Sequence, residues 1–288
     1  FAASHDARYG VGVSSGSVAL LVALRALGVK DGDEVLVPAY NFIADATCVI
    51  YVNAIPVFVD SEPDSLTLSV SDMKKKITSR TKAVIATHVS GCIAPMDEVT
   101  ALAKQYGIAV INDCALAHGA IYDGKKLGAY GDISCFSFGG VKLMAASVGG
   151  MLLTNDLRLK ELCFSLANHG ALPSGCEYKE PLLGFNFKLP ELQAALLRGQ
   201  LRKLDGQTIK REENAGYLTE RLKDIPGIHC FKRQSKLDRG AYYQYSFYYD
   251  PECFNGIDCL SFVKVFNEAG IPATRHFNVN YTLNVDHQ

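Results

Sequence analysis

Seven short apolar runs constrain this chain more than any other feature: residues 9–13, 34–37, 55–59, 83–88, 109–113, 133–137 and 150–154. A strand with one solvated face alternates apolar and polar residues. These runs do not alternate, so each reads as a strand covered on both faces. Between the first five lie segments with helical period and recognisable ends, at 17–27 closing on Gly28, 41–51, 71–77, and 96–106 closing on Gly107. That order is the pattern of parallel βα units and predicts an α/β fold, a three-layer, mostly parallel sheet flanked by helices.

At 288 residues the chain exceeds the usual size of one core, so a large domain over 1–205 and a smaller α+β domain over 206–288 are expected. Pro190 suits a first helical turn and opens a helical passage over 190–204, which continues into 215–222 after a polar stretch and bridges the two domains. After Pro226 the chain turns to aromatic, antiparallel-looking runs, notably 242–249, and then to a helix over 259–269. Phe1-Ala2-Ala3 reads as the tail of a helix feeding the first strand, and 284–288 stops without a closing element. The chain is therefore expected to be a fragment whose smaller domain is truncated at the C-terminus.

Hydrophobic residues make up 48% and charged residues 20%, with a formal net charge of −1 and no basic run denser than Lys74-Lys75-Lys76. Nucleic acid and anionic membrane are excluded as partners on that balance. No apolar stretch approaches the roughly 20 residues that span a bilayer, so a soluble protein is expected. The nine cysteines are scattered, odd in number and without CxxC pairs. They read as reduced packing thiols of a cytoplasmic protein, and no metal site is expected.

Lys142 is the one cation in the apolar and small-residue run 135–146, and Asp113 ends an apolar strand upstream. A lysine amine among apolar neighbours loses hydration, its pKa falls, and it becomes a nucleophile able to hold an aldehyde as a Schiff base. A buried carboxylate can keep a pyridine nitrogen protonated, so the pairing points to pyridoxal phosphate. The plainer readings are a solvated loop lysine and a strand-end aspartate serving a cap or turn. Ser14-Ser15-Gly16-Ser17 follows a strand and opens a helix, gathering free N–H groups and hydroxyls in a phosphate cradle. An N-cap by Ser15 or Ser17 explains the same residues. With neither GxxxxGK[ST] nor GxGxxG, a small phosphate ester suits the loop better than a nucleotide.

Seven stretches, VSSGSVALLVAL, GDEVLVPAYNFIADA, PVFVD, TKAVIATHVSG, INDCALAHGAIYDGKKLG, GDISCFSFGGVKLMAASVGGMLLTND and GFNFKLPELQAALLRGQL, follow one another over residues 8–205. In content, order and spacing the chain resembles the DegT/StrS-type sugar and cyclitol aminotransferases, pyridoxal-phosphate enzymes of the aspartate-aminotransferase fold. FSFGGVKLMAA and THVSGCIAPMDE look closest to the branch acting on cyclitols and aminohydroxybenzoate precursors.

The resemblance implies transfer of an amino group from an amino acid, glutamate or glutamine, to a keto-sugar or keto-cyclitol. Lys142 would form the internal aldimine and shuttle the proton. Asp113 would pair with the pyridinium nitrogen, and Phe42 would stack on the ring, although aromatic size alone favours a buried helix face for it. Gly16, Ser17 and Ser137 would hold the phosphate, with Asn186 reaching the phosphate of the neighbouring subunit in a homodimer.

His88 and His118, near strand ends, read better as packing histidines than as acids or bases. Tyr242, Tyr243, His276 and Tyr281 are candidates for the substrate side. Departures from the family pattern are Leu116, where members carry glutamine or histidine against the ring hydroxyl, Ser147-Val148 in place of Gly-Glu, and Asn112 where an acid is common. The rivals are dehydration on the same scaffold, as in enzymes like aminohydroxybenzoate synthase, and a non-catalytic regulatory homologue. A nicotinamide dehydrogenase is disfavoured by the missing glycine fingerprint.

Overall fold

The computed structural model of the chain describes residues 1–172 and 182–275. Cys176, His276, Tyr281 and the chain end at 284–288 lie outside the described residues.

The strands of the large part are β1 (Tyr9–Val13), β2 (Glu34–Pro38), β3 (Ile55–Val59), β4 (Thr81–Thr87), β5 (Ala109–Asp113), the short β6 (Ile121–Tyr122) and β7 (Lys125–Lys126), β8 (Ile133–Ser137) and β9 (Gly150–Thr154). All seven expected runs are strands of one seven-stranded sheet, in the order β1-β9-β8-β5-β4-β2-β3. From β8 to β3 every neighbour is parallel. β9 runs antiparallel to both β1 and β8. The reason lies in the connection: parallel neighbours need a crossover, usually helical, whereas residues 138–149 form a loop that turns the chain straight back.

The helices are α1 (Gly16–Ala26), α2 (Ala44–Tyr51), α3 (Val70–Lys76), α4 (Met96–Tyr106) and α5 (Leu157–Ala167), the last missed by the strand-and-helix reading. Along each strand the side chains alternate between two apolar layers. Leu36, Val84, Val110 and Phe136 face one layer with Met96 and Val99 of α4. Val35, Ile85, Ile111 and Cys135 face the other with Leu20 and Leu24 of α1, Val49 of α2 and Cys163 of α5. Burial on both sides is why the runs are apolar throughout. Phe136 is fully buried in the first layer. Phe136→Ala is expected to lower stability by about 3–5 kcal/mol, read as a fall in the urea midpoint.

α6 (Glu191–Leu222) is a single 32-residue helix. The polar stretch expected to interrupt it is helical too, because Leu204, Thr208 and Ala215 keep one stripe buried while the charged residues face out. The 205/206 division therefore falls inside a continuous helix. Beyond it come β10 (Ile228–Cys230), β11 (Leu237–Arg239), β12 (Phe247–Tyr249) and α7 (Cys259–Glu268). β10 and β12 pair antiparallel, and Tyr249 and Phe254 pack ring to ring with each other and with Phe262 of α7. β11 pairs instead with β6 of the large part. Among the described residues no helix is long and apolar enough to cross a membrane.

Candidate active site

In open α/β sheets ligands bind beyond the carboxyl ends of the parallel strands. Thr87, Asp113 and Ser137 are the last residues of β4, β5 and β8, and α1 and α2 cover the same face of the sheet.

The loop after β1 shows how this corner is built. Ser15 is extended and caps α1, its Oγ accepting from Val18 N at 3.1 Å. The N-cap reading of Ser15 is thus correct, and the N–H groups of Gly16 and Ser17 stand at the open end of the helix. Gly16 is where close approach requires glycine: a Cβ would lie 2.6 Å from Ser137 Cβ and 2.9 Å from its Oγ. Gly16 and Ser137, 121 residues apart in sequence, therefore touch in a pocket of small side chains with backbone donors. Gly16→Ala forces β8 and α1 apart. It is expected to cost about 1–3 kcal/mol, measured by urea unfolding, and to weaken phosphate-ester binding.

Lys142 lies in the 138–149 loop, its N–H donating to Gly139 O at 2.9 Å, with Leu143, Met144 and Ala146 buried around it. Its Nζ sits 5.2 Å from the centroid of the Tyr243 ring. Burial holds the amine below the usual lysine range, and the negative fields of Asp113 and Asp45 oppose that shift. A larger neutral, nucleophilic fraction at a given pH is the consequence.

Asp113 is buried, and its Oδ1 accepts from Ala115 N at 2.8 Å, so it also makes the local turn expected of a strand-end aspartate. Burial pushes its carboxyl up, against the Ala115 N–H, Asp45 and Lys142. Asp45, in the first turn of α2, is a residue the sequence reading missed. An acid there looks like an ordinary helix-dipole partner. It is instead 2% exposed, accepting at Oδ2 from Thr87 Oγ1 at 2.6 Å and from Asn41 Nδ2. Burial first, then Asp113, raises its carboxyl well above the usual range.

Phe42 precedes α2, which begins at Ala44 rather than at residue 41, and it is 54% exposed. It is therefore not on a buried helix face. Asn186 is exposed, and its segment runs along the end of β1: Ser14 N donates to Phe187 O at 2.8 Å, and Lys188 bridges to Val13.

His88 is committed to packing. Its Nε2 pairs with Asn112 Oδ1 at 2.6 Å, its Nδ1 accepts from Ala94 N at 3.1 Å, and burial lowers its pKa to about 4. His118 is fully buried against Phe136 and Phe138, and burial likewise lowers it to about 3. Asn112 points to the opposite face from Asp113, where its Nδ2 donates to Leu127 O and Ser134 Oγ. A neutral amide suits that wholly buried position, which explains the departure there. Leu116 is buried, whereas Val148 is exposed. Of the neighbouring tyrosines, Tyr243 meets Lys142, while Tyr242 packs on Gly91 and lines a separate cavity of about 370 Å³ with Ser90, Thr219 and Tyr245. Among the described residues no group of three or more His, Cys, Asp or Glu side chains could hold a metal ion.

Comparison with known proteins bears on this arrangement. The chain is 38% identical over 229 residues to the GDP-perosamine synthase of Escherichia coli O157:H7, covering 80% of this chain and 63% of that protein. It is 43% identical over 215 residues to the UDP-N-acetyl-3-dehydro-alpha-D-glucosamine 3-aminotransferase of Acidithiobacillus ferrooxidans, covering 74% of this chain and 58% of that protein. The crystal structure of 3-amino-5-hydroxybenzoic acid synthase superposes with a TM-score of 0.82 at 33% identity, over 86% of this chain and 65% of the other. The chain thus spans about three fifths of the length of the curated relatives it matches. The sequence that builds this sheet matches the family's own profile over residues 1–285, and the chain belongs to the DegT/DnrJ/EryC1/StrS aminotransferase family.

Proposed function

We propose that the protein is a pyridoxal-phosphate-dependent aminotransferase that moves an amino group from an amino acid, glutamate or glutamine, to the keto group of a sugar or cyclitol. The observation that carries the reading is the desolvated Lys142 amine within the field of the buried Asp113 carboxyl. The residues present fit the cofactor. The donor-rich corner at Gly16, which a single methyl group would fill, suits a phosphate ester, the buried acid suits a pyridine nitrogen, and exposed Phe42 suits an aromatic ring.

Bound there, pyridoxal phosphate supplies an aldehyde that condenses with amines and a ring that withdraws electrons from the carbon being deprotonated. Lys142 Nζ would be the point of attachment, and its amine would hold and return the proton that moves during transfer. The Asp113 carboxylate keeps a proton on the ring nitrogen. Phe42 would hold the ring by its exposed aromatic side chain, and Gly16, Ser17 and Ser137 would hold the phosphate through N–H and hydroxyl donors. Asn186, exposed at the end of β1, would hold the phosphate of a second subunit, so the reading includes a homodimer.

Residues 1–205 carry the cofactor, and the part after 205 supplies Tyr243 to the substrate side. The near-zero net charge supports small molecules rather than nucleic acid or membrane as partners. Eight unpaired thiols among the described residues suit a reducing cytoplasm.

The intact protein, loaded with cofactor, is expected to lose its visible absorbance on mixing with glutamate or glutamine alone and to regain it with a keto-sugar or keto-inositol from a panel. A spectrum unmoved by either amino acid contradicts an aminotransferase.

A further inference from the structure

Asp45 and Asp113 make an arrangement that the family reading does not use. Thr87 and Asp113 are register partners at the ends of β4 and β5, so their side chains share one face of the sheet. Thr87 Oγ1 donates to Asp45 Oδ2 at 2.6 Å, and Asn41 Nδ2 donates to the same oxygen while also contacting Thr87 Oγ1 at 3.1 Å. These bonds hold the Asp45 carboxyl beside Thr87, the register partner of Asp113, and the two buried acids act directly on one another. The other Asp45 oxygen, Oδ1, is buried and receives no hydrogen bond from any donor among the described residues. Two facing carboxyl oxygens repel unless a proton lies between them.

We propose that Asp45 is a positioning residue for the aminotransferase chemistry: it and Asp113 share a single proton across their facing carboxyl groups, and Asp45 thereby sets how much negative charge Asp113 offers to the cofactor's ring nitrogen. The proton resides on Asp45 Oδ1 and is donated to Asp113. The asymmetry follows from the partners. Asp113 has the Ala115 N–H and the field of Lys142 to favour its ionised form, and Asp45 has the repulsion of Asp113 to favour its neutral form. The other titratable groups around the pair are the thiols of Cys48, Cys114 and Cys135, all raised by burial and by these carboxylates, so they stay neutral and supply no charge. Lys142 is the cation whose field reaches both acids. A carboxylic acid is a stronger donor than an amide, so Asp45 drains more charge from Asp113 than an isosteric asparagine could.

The inference rests on the function proposed above, and the test separates the two. Asp45→Asn keeps the acceptor for Thr87 and Asn41 and presents an amide N–H to Asp113. At pH 8, where ordinary carboxyls are ionised, the wild-type protein should show an infrared band of a buried protonated carboxyl, with and without cofactor, and Asp45→Asn should lose it. In the loaded variant, the pH midpoint of the visible spectral transition should move up, on the order of one unit, because Asp113 holds the ring proton more strongly. A merely structural role moves neither. Absence of the band from the wild type, or a folded Asp45→Asn variant with an unchanged midpoint, overturns the proposal. A protein that takes up no cofactor refutes the proposed function, and the infrared comparison on the same samples still decides the shared proton.

Discussion

Lys142→Ala is expected to abolish covalent uptake of pyridoxal phosphate and to lower transamination by roughly 10³-fold or more, because nucleophile and proton carrier are lost together. The amine matters through its surroundings. Leu143, Met144 and Ala146 are buried around the loop, and burial lowers the lysine while the negative charge of the Asp113–Asp45 pair keeps the shift from running further. Lys142→Arg tests the point separately, since a guanidinium preserves positive charge but stays protonated and cannot condense with an aldehyde. Both variants should fold. Position 142 lies in a loop, partly exposed, and contributes no apolar side chain to either layer of the core. Circular dichroism and thermal melting should match the wild type, with only the visible absorbance and the turnover missing.

Asp113→Asn should reduce kcat/KM by about 10²–10⁴-fold with a small effect on folding. An amide cannot hold a proton on a pyridine nitrogen by charge, so the electron sink weakens. An amide oxygen at 113 still accepts from the Ala115 N–H, and Asp45 stays protonated beside a neutral neighbour, so stability at neutral pH should change little. Asp113→Ala differs in a measurable way: Ala115 N–H loses its acceptor, a cost of about 1–3 kcal/mol if no water replaces it. A lower melting temperature for the alanine variant than for the asparagine variant, with both inactive, is the expected pattern. An active Asp113→Asn variant would remove this residue from the chemistry.

Much of the large part of the fold was legible because burial on both sheet faces leaves a direct mark, a run such as Ala109–Asp113 with no polar alternation until its end. Strand direction was not. Nothing in Gly150–Thr154 distinguishes a parallel from an antiparallel strand, and only the helix-free connection before it decides. The continuity of α6 was hidden by its polar middle, whose buried stripe rests on Leu204, Thr208 and Ala215 rather than on a run of apolar residues.

Within the candidate site, Asp113 stood out as an acid closing an apolar strand, Gly16 as part of a small polar loop opening a helix, and Lys142 as the one cation in an apolar and small-residue run, whereas Ser137 came only with the family resemblance. Asp45 did not stand out, since its meaning comes from Thr87 and Asp113, which lie 42 and 68 residues away in sequence. The contrast between His88 and His118, which both read as strand-end histidines, was likewise invisible: one satisfies both ring nitrogens through Asn112 and Ala94, and the other packs between phenylalanines.

The most direct test of the central claim is chemical trapping. The intact protein is loaded with pyridoxal phosphate, reduced with borohydride, digested and sequenced by mass spectrometry. The account predicts a stable phosphopyridoxyl group on Lys142. A reduced protein in which that lysine is unmodified, or in which the label lies on another amine, would contradict it.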